Sequence, residues 1–418
     1  MAVQTSSPET VEGIAAPVVD DDLYDPAVQG SLHAHAARWR ALAPVVRMSR
    51  YNVYYVTGFD QVRQAFNNWQ DFNSVGGIGL IDNRTLERPQ GRNVLVGSDP
   101  PDHTRHRSVL TKVMMPGALK RWQDMFDRVA ADLVDAAVQK GTFDAVTQII
   151  RPFTETVLPD VVGIPMEGRY HMRLLGDMTL NSVGPVTPQM HETTAAVIMA
   201  GTMEWVNRVV SREYLTPDGV GAEIWTAVDR GEIEAEEARM LIMLFLFGGL
   251  DTTITSLSNG VKNFLDHPDQ WERLSGHPEL AKDAYEEILR FNLPVQQSYR
   301  VAARDLVLGG FRIEKGARIG LSAACANRDP AEYPDPDRFD IQRRMRGHLG
   351  FSTGIHNCAG QILARMEVGA LLRAMASRIR TLKPAGPAVR WVVAGLASWS
   401  SIPVTVEGRQ SVSRLPAA

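Results

Sequence analysis

Four groups of side chains in this sequence have the types and spacing to do chemistry. The first is Cys358, at the end of the glycine-containing run His348-Leu349-Gly350-Phe351-Ser352-Thr353-Gly354-Ile355-His356-Asn357-Cys358-Ala359-Gly360. Behind it, Ala359, Ile362, Leu363, Met366 and Ala370 recur with a helical period, so a loop delivers the cysteine to a helix start. There it meets unpaired backbone N–H groups and the positive end of the helix dipole, which favour thiolate over thiol. Gly354 and Gly360 would let a large planar partner approach the backbone. A buried structural cysteine and a nucleophile paired with His356 are the alternatives, and spacing alone does not choose between them.

The second group is Phe245-Leu246-Phe247-Gly248-Gly249-Leu250-Asp251-Thr252-Thr253, in a run apolar on every side and therefore a buried helix. Each glycine costs such a helix about 1 kcal/mol relative to alanine, and Asp251 adds a desolvation cost. A sequence shaped only by stability would avoid all three. The third group is Glu286-Glu287-Ile288-Leu289-Arg290, in which Glu287 and Arg290 share a helix face. The fourth is Asp99-Pro100-Pro101-Asp102-His103-Thr104-Arg105-His106-Arg107, where a capping carboxylate and prolines announce a helix that turns His103 and Arg107 to one side.

Taken together, these strings resemble the cytochrome P450 family. The cysteine run matches its haem-ligand loop, Phe-Gly-x-Gly-x-His-x-Cys-x-Gly followed by Leu-Ala-Arg, except that Ser352 stands where the first glycine is common, a departure that stiffens the turn. Gly248–Thr253 matches the oxygen-binding helix, which bulges over the haem in that family. Glu287 and Arg290, followed by Arg300, Asn327–Pro330 and Pro334–Phe339, match the family's segments in their order. The resemblance implies a mainly α fold with a smaller β portion, haem b (iron protoporphyrin IX) as cofactor, and Cys358 as the axial thiolate of the iron. In that family, as a general property, the thiolate pushes electron density that favours O–O cleavage. It further implies that His103, Arg107, Arg300 and His356 hold the haem propionates and that Gly354 and Gly360 permit the close approach. Thr252 would take part in oxygen activation, with Asp251 relaying protons. Glu287 and Arg290 would form a buried ion pair with an architectural role.

The positions corresponding to the family's substrate segments are Leu180, Val183, Leu244, Phe247, Gly248, Val295, Ser298 and Leu396, a mostly apolar set suited to a compact, flat molecule. The chain most resembles the bacterial branch that demethylates para-methoxybenzoates. Met243 and Leu244 stand where that branch places polar and basic residues for the carboxylate, leaving Arg92 and Asn93 as candidates. The expected reaction is oxidation of a small aromatic with O2, such as O-demethylation of a methoxyarene or methoxyphenol. The rivals are aliphatic, terpenoid or steroid hydroxylation and a non-catalytic haem sensor. The resemblance implies electrons from a [2Fe-2S] or similar ferredoxin with an NAD(P)H-dependent reductase. Arg105, Lys112, Arg343, Arg344, Arg346 and Arg365 are candidates to steer it.

Around these groups, helical patterns dominate from Asp99 to Leu293. Strands are expected at Val45–Met48 and Val53–Val56, at Asp305–Leu308 and Phe311–Ile313 about Gly309-Gly310, at Ala317–Ala323 and in Val392–Val406, with Pro403 as an edge marker. One domain over 21–407 is expected, between a flexible N-terminal tail (1–20) and a C-terminal tail (408–418). The chain has 418 residues, 44 Lys+Arg and 48 Asp+Glu, a balance with no footprint for nucleic acid. Cys325 and Cys358 cannot make a disulfide framework. The longest apolar run, Met240–Leu250, is short of the roughly 20 residues a membrane span needs, so a cytoplasmic protein without a membrane anchor is expected.

Overall fold

The computed structural model describes residues 12–86, 94–344 and 347–409. Its centre is one long helix, Ala235–Asp266, started by a capping box in which Glu234 and Glu237 reciprocally bond each other's backbone N–H. Around it pack the helices Arg151–Val162, Tyr170–Ser182, Val220–Asp229, Ala281–Phe291 and Gln361–Arg378. By length and composition the central helix could cross a membrane, with a stretch of mean hydropathy 1.7. Several of its buried polar groups bond inside the protein, although Asn263 Nδ2 has no partner among the described residues. Asn259 donates to the carbonyls of Asn292 and Ala397 at 3.0 and 3.1 Å, and Thr255 donates to Ser398 Oγ at 2.9 Å. It is the core helix of a helical layer.

The smaller β portion frames this layer. The hairpin forms at its expected bounds: Val45–Met48 pairs antiparallel with Val53–Val56, and the chain reverses through Asn52 at φ 52°. A six-stranded sheet follows in the order Val18–Val19, Val45–Met48, Val53–Val56, Arg318–Leu321, Ser298–Ala302, Phe72–Asn73. The first of these corrects the expected tail. Residues 12–20 are tied down, because the hairpin edge leaves the Arg47 N–H unpaired and the Pro17 carbonyl accepts it at 2.8 Å, with Val18 and Val19 in register with Arg47 and Met48. Pro403 is not on an edge strand. It opens Pro403–Gly408, the middle strand between Ile379–Pro384 and Thr142–Asp144, and at a first position its missing N–H breaks no ladder bond.

Two segments bring the chemistry to the central helix. The helix Gln361–Arg378 packs on Gln123–Lys140 and Ala281–Phe291 and presents its N-terminus beneath the central helix. The helix Asp102–Val113 enters from the other side. Asp99 does not cap it with its side chain, as the sequence suggested; its backbone carbonyl accepts the His103 N–H at 3.1 Å, and its carboxylate accepts the Ser74 N–H at 2.9 Å.

Candidate active site

A cavity of about 350 Å3 lies between the central helix and the loop that ends at Cys358. The loop is held in register by the Cys358 N–H, which donates to the Phe351 carbonyl at 2.8 Å. Burial pushes the Cys358 thiol up, while the N–H groups of Gly360 and Gln361 and the charges of Arg107 and Arg365 favour the thiolate. Gly354 sits at φ +71°, and a Cβ there would lie 2.5 Å from the Phe66 carbonyl oxygen, so no other residue fits without moving the helix Phe59–Asn67. At Gly360 a Cβ would meet only Cys358 Sγ, at 4.0 Å, which leaves an open slot beside the sulfur. Ser352 does more than stiffen its turn: it is held at φ 57°, left-handed for a residue with a Cβ, and its buried hydroxyl has no partner among the described residues.

His103, Arg107, Arg300 and His356 converge at one end of this cavity. The His103 and His356 rings meet edge-on at 4.6 Å, and His356 Nε2 lies 3.0 Å from Ser74 Oγ and 3.6 Å from Asp99 Oδ1. Arg107 donates to the Asn357 carbonyl. Arg300 is buried, with one donor on the Tyr299 carbonyl at 2.8 Å and its guanidinium over the Phe66 ring. Burial, with help from His356 and Arg107, pushes His103 down to about 4, and burial lowers Arg300 to about 10. His103 Nε2 is buried with no partner among the described residues. Desolvated donors short of an acceptor fit a doubly carboxylated ligand, which is what the propionates of haem b would supply.

On the opposite wall, the expected bulge of the central helix is instead a notch of missing side chains in an unbroken helix. A Cβ at Gly248 would meet nothing within 4 Å, whereas one at Gly249 would press on Leu158 at 3.1 Å. Gly248 therefore opens the cavity and Gly249 packs the helix. Thr252 faces the cavity and donates to the Gly248 carbonyl at 2.5 Å. Asp251 points the other way, against Gly176 of the helix Tyr170–Ser182, and is 4% exposed. Burial raises it to about 7; Arg151 opposes this, while Asp177 and Glu155 add to it.

Beneath the cysteine loop, Glu287 and Arg290 form a fully buried two-point ion pair at 2.7 and 2.8 Å. The remaining Arg290 donors reach the carbonyls of Asn327, Pro336 and Arg338, and Glu287 also accepts the Asp340 N–H at 2.9 Å. Every group is satisfied, the condition under which a buried pair holds a unique loop geometry.

Of the substrate positions, Leu244, Gly248, Val295 and Ser298 line the cavity. Phe247 does not. On a helix, residues 244, 245, 248 and 252 share a face, so Phe245 is the aromatic wall, while Phe247 packs behind it with Met172, Leu175 and Asp251. Leu180, Val183 and Leu396 also stand outside the wall: Leu180 and Val183 pack where the helix Tyr170–Ser182 ends on the turn at Gly395, next to Leu396. Arg92 and Asn93 lie outside the described residues, as does Arg346. The sequence reading missed Leu95, Val96, Ile78 and Gln297, whose loops carry no periodic signal, and Glu367. That acid is 1% exposed, with one oxygen unpartnered, and burial raises it to about 8. Its signal was a lone carboxylate four residues after Leu363 on an apolar helix face. Most of the arginines and lysines expected to steer an acidic partner are already paired: Arg105 with Glu237, Lys112 with Glu232, Arg343 with Glu287 and Arg365 with Glu286. Arg344 is exposed.

Comparison with known proteins agrees with this geometry. A family model described as cytochrome P450 matches residues 276–385. The chain is 35% identical to cytochrome P450 CYP199A2 of Rhodopseudomonas palustris, over 87% of this chain and 88% of that protein. It is 30% identical to a beta-dihydromenaquinone-9 omega-hydroxylase of Mycobacterium tuberculosis, over 94% of this chain and 79% of that one. Among solved structures, CYP108D1 from Novosphingobium aromaticivorans superposes with a TM-score of 0.81 at 25% identity, covering 93% of this chain and 97% of that one. A thiolate-favouring cysteine beside a slot, orphaned donors at one end and a glycine notch with its threonine above thus sit in a chain that belongs to the cytochrome P450 superfamily, monooxygenases whose cofactor is haem b.

Proposed function

We propose that this monooxygenase oxidises a small, neutral aromatic substrate, by O-demethylation of a methoxyarene or methoxyphenol. Its electrons come from a [2Fe-2S] or similar ferredoxin and an NAD(P)H-dependent reductase, in the cytoplasm. The observation that carries the reading is the substrate-side wall. Leu95, Val96, Leu244, Phe245, Leu293 and Val295 are apolar, and the cationic side chains lining the cavity, Arg107 and Arg300, stand beside His103 at the carboxylate-binding end. Among the described residues, such a wall takes an uncharged ring and offers no counter-ion to a benzoate.

Bound haem, held by Cys358 and by His103, Arg107, Arg300 and His356, supplies the redox chemistry that splits O2. The chain's own residues do the rest. The apolar wall excludes bulk water and places the methoxy carbon in the space left by Gly248. Thr252 holds a water on the cavity side of the central helix. Asp251, titrating near neutrality, takes protons from the side of Arg151 and Asp177 and passes them towards that water. Two electrons and two protons reduce O2 so that one oxygen atom leaves as water and the other enters the methyl C–H bond. The resulting hemiacetal collapses to a phenol and formaldehyde.

The test is turnover of the purified holoenzyme with a ferredoxin, its reductase and NAD(P)H on methoxyarenes and methoxyphenols, measuring formaldehyde and phenol together. Equal amounts of the two support the proposal. Absence of formaldehyde overturns it, and hydroxylated product from a terpenoid or steroid would direct the assignment there.

A further inference from the structure

We infer that Glu286 is a positioning residue for the thiolate loop, its single carboxylate gripping both ends of the segment that carries Cys358. At one end, Arg365 donates to it twice, Nε to Oε1 at 2.6 Å and Nη2 to Oε2 at 3.0 Å. At the other, His348 Nε2 lies 3.1 Å from Oε2. The ring's other nitrogen, Nδ1, accepts the Gly350 N–H at 2.9 Å, so Nδ1 carries no hydrogen and Nε2 is the donor. The His348 side chain thereby joins the loop backbone to Glu286.

The grip reaches the cysteine through two contacts. The Arg365 guanidinium stacks 4.4 Å over the Phe351 ring, and the Phe351 carbonyl accepts the Cys358 N–H. Arg365 also bonds Gln361 Oε1 at 2.9 Å, and Gln361 is one of the two residues whose N–H groups face the sulfur. Glu286 follows Tyr285 and precedes the Glu287 anchor on the same helix, so it is a fixed point. Burial raises its carboxyl, but His348 and Arg365 outweigh that and hold it at about 2, ionised across the working pH range. Glu286 touches neither sulfur nor cavity. It acts by keeping the N–H groups of Gly360 and Gln361 aimed at the sulfur, which moderates the electron density that sulfur gives a bound iron.

The test uses holoenzyme of Glu286→Gln, Glu286→Asp and Arg365→Lys. The readouts are the reduction potential and the rate at which the red-shifted Soret band of the reduced, CO-treated protein is lost in mild urea. Losing an ionised two-point acceptor should speed that loss about tenfold in Glu286→Gln and lower the potential. Arg365→Lys, which keeps the charge but loses the fork and the stacking, should behave the same way, and Glu286→Asp should recover part of the effect. If Glu286→Gln takes up no haem, Arg365→Lys decides alone. Haem-loaded variants with unchanged potential and unchanged rate of loss overturn the inference. The inference rests on Cys358 as the iron's ligand. Cys358→Ala tests that separately, because a red-shifted band surviving there refutes the ligand assignment itself.

Discussion

Asp251→Asn should give a protein that is more stable and less active. The wild-type acid is moved by burial from 3.8 to about 7. At ~1.4 kcal/mol per pH unit, that gap is a ceiling of ~4 kcal/mol. The sign follows from which state keeps the proton. The folded carboxyl holds it to higher pH than the unfolded one, so stability is lost as pH rises from about 4 to about 7 and is not regained above. Asparagine has the same shape and nothing to ionise. Its advantage should therefore be ~1–2 kcal/mol near pH 5 and grow to ~4 kcal/mol near pH 8. Urea unfolding of both proteins at the two pH values measures it. In turnover, loss of the relaying acid should cut product formation ~100-fold. A variant no more stable at the higher pH would mean that Arg151 and Arg173, the two cations whose charges oppose the effect of burial on Asp251, hold the wild-type group ionised, and the burial reasoning would fail.

Three further outcomes follow from the same geometry. Ser352→Gly should raise stability by ~1 kcal/mol, since it relieves a left-handed φ and removes an unpartnered buried hydroxyl; thermal unfolding is the check. Gly248→Ala should stabilise the fold by up to ~1 kcal/mol by restoring helix propensity, yet slow turnover because its methyl enters the cavity; calorimetry and product assays on one sample should move in opposite directions. Arg290→Ala should cost ~3 kcal/mol by removing the two-point partner of buried Glu287, which then keeps only Arg343 at 3.4 Å and the Asp340 N–H, seen as a lower urea midpoint with loss of haem uptake.

Much of the architecture was legible because it rests on local rules. The hairpin at Val45–Val56 and the turn at Gly309-Gly310 formed where alternation and turn chemistry put them. What could not be read depends on distant partners. That residues 12–20 would satisfy the Arg47 N–H, or that Pro403 would open a middle strand, is decided by chain brought from far away. The same division runs through the site. His103, Arg107, Arg300 and His356 meet because three separated segments are packed together, and their motifs could be named before that meeting was visible. Phe247 misses the cavity for a local reason, being two residues and about 200° of helical phase from Phe245. Asp251 and Thr252, adjacent in sequence, face opposite sides of their helix for the same reason.

The burial of His103 and Arg300 has a consequence for haem binding. A chain that completes its fold before acquiring its prosthetic group must enclose His103 with Nε2 unpartnered among the described residues, and a buried Arg300 whose one hydrogen bond is to the Tyr299 carbonyl. That form should unfold more readily than the haem-loaded one. A group that binds only the folded chain should therefore raise its stability, an effect separate from turnover.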